Sequence, residues 1–115
     1  MTAVASKSDV PKGTLDLLIL KTLSLEPMHG LGVSRRLAQI TDGTFQVNPG
    51  SFFPALHALE EEGWISGEWG RSENNRRAKY YRLTAKGRRQ LTHSETAWNT
   101  YAEAVSKVLG SGERR

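Results

Sequence analysis

The chain has 115 residues, 37% of them hydrophobic, and no cysteine. That size fits one domain with a modest core, and the missing cysteines exclude a disulfide framework, a zinc ribbon and a thiol nucleophile, so a reducing cytoplasm is the expected setting. Sixteen Lys and Arg against 12 acids give a net charge of +4, and the longest apolar run, Leu17 to Leu20, stops at Lys21, far short of the roughly 18 residues a membrane span needs.

Residues 1–11 are small and polar, with an early acid and no apolar block; they read as a flexible lead rather than an export signal. Pro11-Lys12-Gly13-Thr14 opens a first helix with Thr14 as its N-cap and Asp16 in the positive first turn. From Leu15 to Leu25 apolar residues point to every side, and such a helix must be covered all round. A second subunit is the expected cover for its outer side, with Leu17 and Leu20 as contacts. Pro27 breaks this helix. A second runs from about His29 to Ile40, expected to bury Leu31, Val33 or Ser34, Leu37 and Ile40. It ends at Thr41-Asp42-Gly43, and Phe45 and Val47 form an extended link.

In the third helix, Asn48-Pro49-Gly50 turns the chain into Ser51 as a hydroxyl N-cap, with Pro54 in the first turn where its missing N–H is not needed. Phe52, Leu56 and Leu59 make one inward stripe, and Gly63 supplies a left-handed C-terminal cap. Two aromatic and β-branched runs follow, Trp64 to Trp69 and Ala78 to Leu83, around a loop of turn formers and charges from Gly70 to Arg77. They predict an antiparallel hairpin, placed after a third helix as a wing is.

The positive charge is concentrated here. Residues 71–89 hold eight basic side chains and one acid, a local +7, while the remainder of the chain sums to −3. A focused basic patch is the footprint of a polyanionic partner, although a solvated surface loop would carry the same charges.

Thr84 can cap a last helix from Ala85 to about Leu109, in which Leu91, Ser94, Trp98, Tyr101, Val105 and Val108 recur at alternating spacings of 3 and 4. That heptad seam predicts dimerisation through Leu91, Trp98, Tyr101, Val105 and Val108, or packing back on the first helix. The expected fold is mainly α with a small β-hairpin: a winged helix-turn-helix domain over residues 12–84 plus a long C-terminal dimerisation helix over 85–109, followed by a disordered tail, 110–115.

Four segments resemble the PadR family of transcriptional regulators: Gly13-Thr14-Leu15 running into Leu18-Ile19-Leu20, Pro27-Met28-His29-Gly30, the run PGSFFPALHALEEEGWI from Pro49 to Ile65, and RRAKYYRLTAKGRRQL from Arg76 to Leu91. The single long last helix is similar to the short subgroup. The resemblance implies a homodimeric repressor on a pseudo-palindromic double-stranded DNA operator, released by a small molecule or other signal. Two positions depart from the family pattern: Phe53 stands where a tyrosine is usual, and Leu31-Gly32 replaces the frequent Tyr-Glu.

On this reading the third helix turns Ser51, Pro54, His57 and Ala58 outward. Ser51, Phe53, Pro54 and His57, with Arg76, Arg77, Lys79 and Tyr80 of the wing, form the expected DNA-binding set. Arg35 and Arg36 could straddle the backbone. The outward helix residues include no Arg, Asn or Gln, the side chains that pair bidentately with bases, so the wing and DNA shape should carry much of the discrimination. Glu60, Glu61 and Glu62 would repel phosphate and mark the helix's solvent end. By similarity Trp98, walled by Leu17 and Tyr101, is the candidate site for a planar hydrophobic effector. No cofactor, metal site or enzymatic activity is expected: His29, His57 and His93 lack metal-set spacing, and Gly30-Leu31-Gly32 lacks the third glycine of a dinucleotide motif. The alternative function is a winged-helix protein–protein adaptor that dimerises without reading DNA.

Overall fold

The computed structural model describes residues 12–111. The first helix, α1, spans Lys12–Leu25 and stops two residues before Pro27. Thr14 lies inside α1, so it is not the N-cap, and Asp16 falls beyond the first turn. A cap is worth about 1 kcal/mol, less than the stripe of Leu15, Ile19, Leu20 and Leu23, all buried at 3% exposure or below, that holds the helix in register. Thr22 is buried as well, and its hydroxyl donates to the Leu18 carbonyl at 2.8 Å. Leu20 is 1% exposed within the chain itself, which corrects its expected role as a subunit contact: a side chain already covered has no surface left to offer.

Met28–His29 forms a two-residue strand, β1, too short to be legible as an alternating pattern. The second helix, α2, spans Gly30–Ile40, with His29 as its N-cap: Gly32 N–H donates to His29 Nδ1 at 3.0 Å. Its buried stripe is Gly30, Val33 and Leu37, whereas Leu31 and Ile40 are exposed. Leu31 lies on the opposite side of the helix from Val33, and Ile40 is in line with it but at the last residue, past the edge of the core. The close approach in this helix is at Gly30, where a Cβ would stand 3.1 Å from Phe53 and 3.2 Å from Leu56.

The third helix, α3, spans Pro49–Glu61. Its cap is Asn48, whose Oδ1 accepts from Gly50 N–H at 2.7 Å, with Pro49 at the first helical position. Asn-Pro thus supplies cap and pre-set φ together and starts the helix ahead of Ser51. Ser51 is a helical residue and Pro54 an interior one. Phe52, Ala55, Leu56 and Leu59 are buried. At the far end Gly63 has φ +80°, its N–H donates to the Glu60 carbonyl at 3.0 Å and that of Trp64 to the Leu59 carbonyl at 3.1 Å. This paired closure needs a left-handed residue, which glycine adopts without strain.

Strands β2 (Ile65–Arg71) and β3 (Arg77–Leu83) pair antiparallel from Ile65 opposite Leu83 to Arg71 opposite Arg77, so the connecting loop is residues 72–76, shorter than the run of turn formers suggests. Beyond the expected hairpin, β1 pairs with the other edge of β3, Met28 facing Tyr81 and His29 facing Tyr80, giving the strand order β1-β3-β2. The last helix, α4, spans Ala85–Ser111. Thr84 Oγ1 caps it, accepting from Gly87 N–H at 3.0 Å, and the same hydroxyl donates to the Gly63 carbonyl at 2.6 Å. Leu91, 7% exposed, belongs to the core shared with α1; like Leu20 it is an internal residue, not a subunit contact. Gly110 and Ser111 are helical, so α4 runs past the expected start of the tail. The expected flexible lead up to residue 11 and the tail from residue 112 lie outside the described residues.

Candidate nucleic-acid interface

The core stripe of α3 fixes what its outer face presents. With Phe52, Leu56 and Leu59 inward, Ser51, Phe53, Pro54 and His57 are exposed and Ala58 is half-buried. Phe53 packs edge-on against Phe52, ring centroids 5.3 Å apart, and remains 44% exposed. It offers an apolar surface where a tyrosine would offer a hydroxyl.

The wing is braced internally. Tyr80 Oη donates to the Arg71 carbonyl at 2.7 Å, and Arg71 Nη1 donates to the Asn75 carbonyl at 3.2 Å, closing the loop around Asn75 with its φ of +59°. Lys79 Nζ lies 3.0 Å from Glu60 Oε1, a pair that clamps β3 to the end of α3. The Glu60 hydrogen bond holds the Lys79 ammonium above its ordinary pKa. Lys79 and Tyr80, both expected at the DNA face, thus each make a bond within the protein, one through its ammonium and the other through its hydroxyl proton. Glu60, expected at a solvated helix end, is the clamp's other half.

Arg76 and Arg77 are exposed, and among the described residues neither has a carboxylate within ion-pair distance. The Arg77 guanidinium lies over the Trp69 ring, 4.2 Å from its centroid. Arg36 pairs with Glu26 at 3.4 Å, while Arg35 faces the wing. Between α3 and the wing lies a cleft of about 710 Å³ lined by Arg35, Phe53, His57, Trp69, Arg76 and Arg77 among others. Glu73, the one acid of the basic segment, is turned toward α2, its Oε1 3.7 Å from His29 Nε2. Its own backbone N–H, and then His29, hold its carboxyl below the usual range. Two arginines of the wing and one of α2 thus share one side of the molecule with the outer face of α3.

Sequence reasoning missed Trp69, Glu60 and the capping role of His29. The first had a signal, a large aromatic at the outer end of a strand and in period with Ile65. Glu60 meets Lys79 across 19 residues of chain, a pairing no local pattern announces.

A second groove, about 850 Å³, runs between α1 and α4 and brings together Leu17, Trp98 and Tyr101, with Phe45, His93 and Ser94 among its other walls. The rings of Trp98 and Tyr101 are 5.8 Å apart. Further along α4, Val105 and Val108 are exposed. Arg88 and Arg89 are exposed on the first turns of α4.

Three helices followed by a basic hairpin wing define a winged helix-turn-helix, a DNA-binding class of fold. The sequence profile of the transcriptional regulator PadR-like family matches residues 19–93, and the chain belongs to that family. It is 30% identical over 105 residues to Transcriptional regulator Rv3488 of Mycobacterium tuberculosis (strain ATCC 25618 / H37Rv), covering 88% of this chain and 94% of that one. Among solved structures it resembles a transcriptional regulator from Clostridium thermocellum, with a TM-score of 0.78 and 27% identity over 87% of this chain and 97% of the other. It also resembles the PadR-like transcriptional regulator BC4206 from Bacillus cereus strain ATCC 14579, with a TM-score of 0.73 and 32% identity over 85% and 93%. The family is one of transcriptional regulators, not of enzymes, and among the described residues no helix is long and apolar enough to cross a membrane.

Proposed function

We propose that this regulator is a homodimeric repressor that binds a pseudo-palindromic operator through α3 and the wing and is released by a planar hydrophobic effector. The observation that carries the DNA-binding face is the pair Arg76 and Arg77, exposed and without a carboxylate partner among the described residues, on the same side as the outer face of α3. Each phosphate neutralised by such a cation releases counterions, so affinity falls steeply with salt. Ser51 and His57 can reach phosphate or base edges, while Phe53, Pro54 and Ala58 can meet thymine methyls. The exposed seam Trp98, Tyr101, Val105 and Val108 is the proposed subunit contact, together with the half-buried Leu17. Two copies would read two half-sites. The groove containing Leu17, Trp98 and Tyr101 is the proposed effector site, close enough to the seam for a ligand to alter how the two wings are spaced.

Binding to a duplex from the protein's own promoter region, titrated with salt, tests the DNA-binding face. Replacing Arg76 and Arg77 together by Ala should flatten the slope of log affinity against log salt by about 1.8, two phosphates' worth. An unchanged slope would remove the wing from the interface.

A further inference from the structure

Trp69 is a large aromatic, 57% exposed, on the face proposed to meet DNA. In the hairpin register it stands opposite Lys79, with Arg77 opposite Arg71 two pairs further out. Side chains two apart on a strand share a face. Trp69, Arg77 and Lys79 therefore extend the same hairpin face whose inner end, Ile65, Tyr81 and Leu83, is buried against the helices. That face overhangs the cleft toward Phe53 and His57 of α3. Lys79 is clamped to Glu60 and Arg71 bonds the Asn75 carbonyl, while Arg77, with no carboxylate partner among the described residues, has its guanidinium over the Trp69 ring.

Stacking engages the flat side of a guanidinium and leaves its N–H edge open, and that edge is what a phosphate accepts from. We propose that Trp69 is a positioning residue for DNA binding: its indole holds the Arg77 guanidinium flat beside the cleft, so that a DNA phosphate between α3 and the wing meets a cation already in place. An unsupported arginine on a wing would lose most of its rotamer freedom on binding; one held on an aromatic face has lost much of it in the free protein. The inference rests on the wing belonging to the DNA face.

The test is a double-mutant cycle read by binding to a mixed-sequence DNA duplex at fixed salt. Trp69→Leu keeps apolar bulk on the hairpin without a π face. It should weaken binding about threefold, the scale of an exposed cation–π contact, and should cause no further loss in the Arg77→Ala background. Trp69→Phe should recover most of the affinity. Unfolding curves of the four variants, the double included, matching the parent, show that the hairpin is intact. The proposal is overturned by parent-like binding of Trp69→Leu, or by an equal loss in both backgrounds, which would make Trp69 an independent contact. Arg77→Ala binding with parent affinity and salt slope would instead remove the wing reading itself.

Discussion

A methyl group added to Gly87 would run into the backbone carbonyl of Trp64 and reach to 2.8 Å from Leu83 Cδ1. This glycine is where the first turn of α4 lies against the start of β2, beside the Thr84 hydroxyl that caps α4 and bonds the Gly63 carbonyl. Because the obstacle is backbone, it cannot rotate away. Gly87→Ala should cost about 3 kcal/mol, at the upper end of overpacking effects, visible as a lower urea midpoint. Gly13, on α1, has nothing described within 4 Å of its added Cβ. Gly13→Ala should gain about 0.5 kcal/mol from helix propensity and a stiffer unfolded chain. Equal effects from the two substitutions would contradict the packing given to α4. Similar reasoning separates Lys79 from Arg77. Both are wing cations two residues apart on one face, yet Lys79 crosses over Gly67 to reach Glu60, where a Cβ would obstruct its stem, while Arg77 stays outside.

At the scale of elements, the hairpin is joined to α3 through Lys79 and Glu60 and to the core through Tyr81, which is 6% exposed. Both Lys79 and Tyr81 titrate above their ordinary ranges, the first through its hydrogen bond to Glu60 and the second through burial. A group whose pKa is raised on folding contributes its stability in full below the unfolded value and loses it as pH climbs through the folded one. The melting temperature should therefore fall above about pH 10. Glu73, held low, contributes in the opposite direction and is lost in acid, below about pH 4. Glu60→Gln should remove the Lys79 part of the alkaline fall and leave that of Tyr81; a variant profile superimposable on the parent's would show that the clamp does not form in solution. The sequence was informative about these elements wherever a pattern was local. The inward stripe of Phe52, Leu56 and Leu59, the left-handed Gly63, the Thr84 cap and the two long strands were legible because period, cap and turn chemistry act within a few residues. The start of α3 was misread by three residues because Asn48 and Ser51 both have capping chemistry, and only the packed helix selects between them. Strand β1 was invisible, since two residues carry no period and its partner β3 lies some 50 residues away.

At the scale of the whole molecule, the outer end of α4 is the part that bears on assembly. Trp98, Tyr101, Val105 and Val108 are all exposed, and a contiguous apolar row on a helix otherwise rich in polar residues is the mark of an association surface. Under the proposed dimer, replacing Tyr101 and Val105 together by Glu keeps helix propensity but sets charges into the seam. The dimer dissociation constant should rise at least about a hundredfold, read by sedimentation velocity. An unchanged sedimentation coefficient would place the subunit contact elsewhere. Taken by itself, the sequence determined the class of fold, the family and the concentration of positive charge on the wing, because each is written in local periods and composition. Only the tertiary structure decided which cations remain available and which apolar residues face inward. Lys79 is drawn to Glu60, Leu20 and Leu91 are enclosed by the chain's own core, and Trp69 is brought beneath Arg77. Those outcomes depend on which distant segments meet, and a side chain's charge or hydropathy is the same before and after it finds a partner.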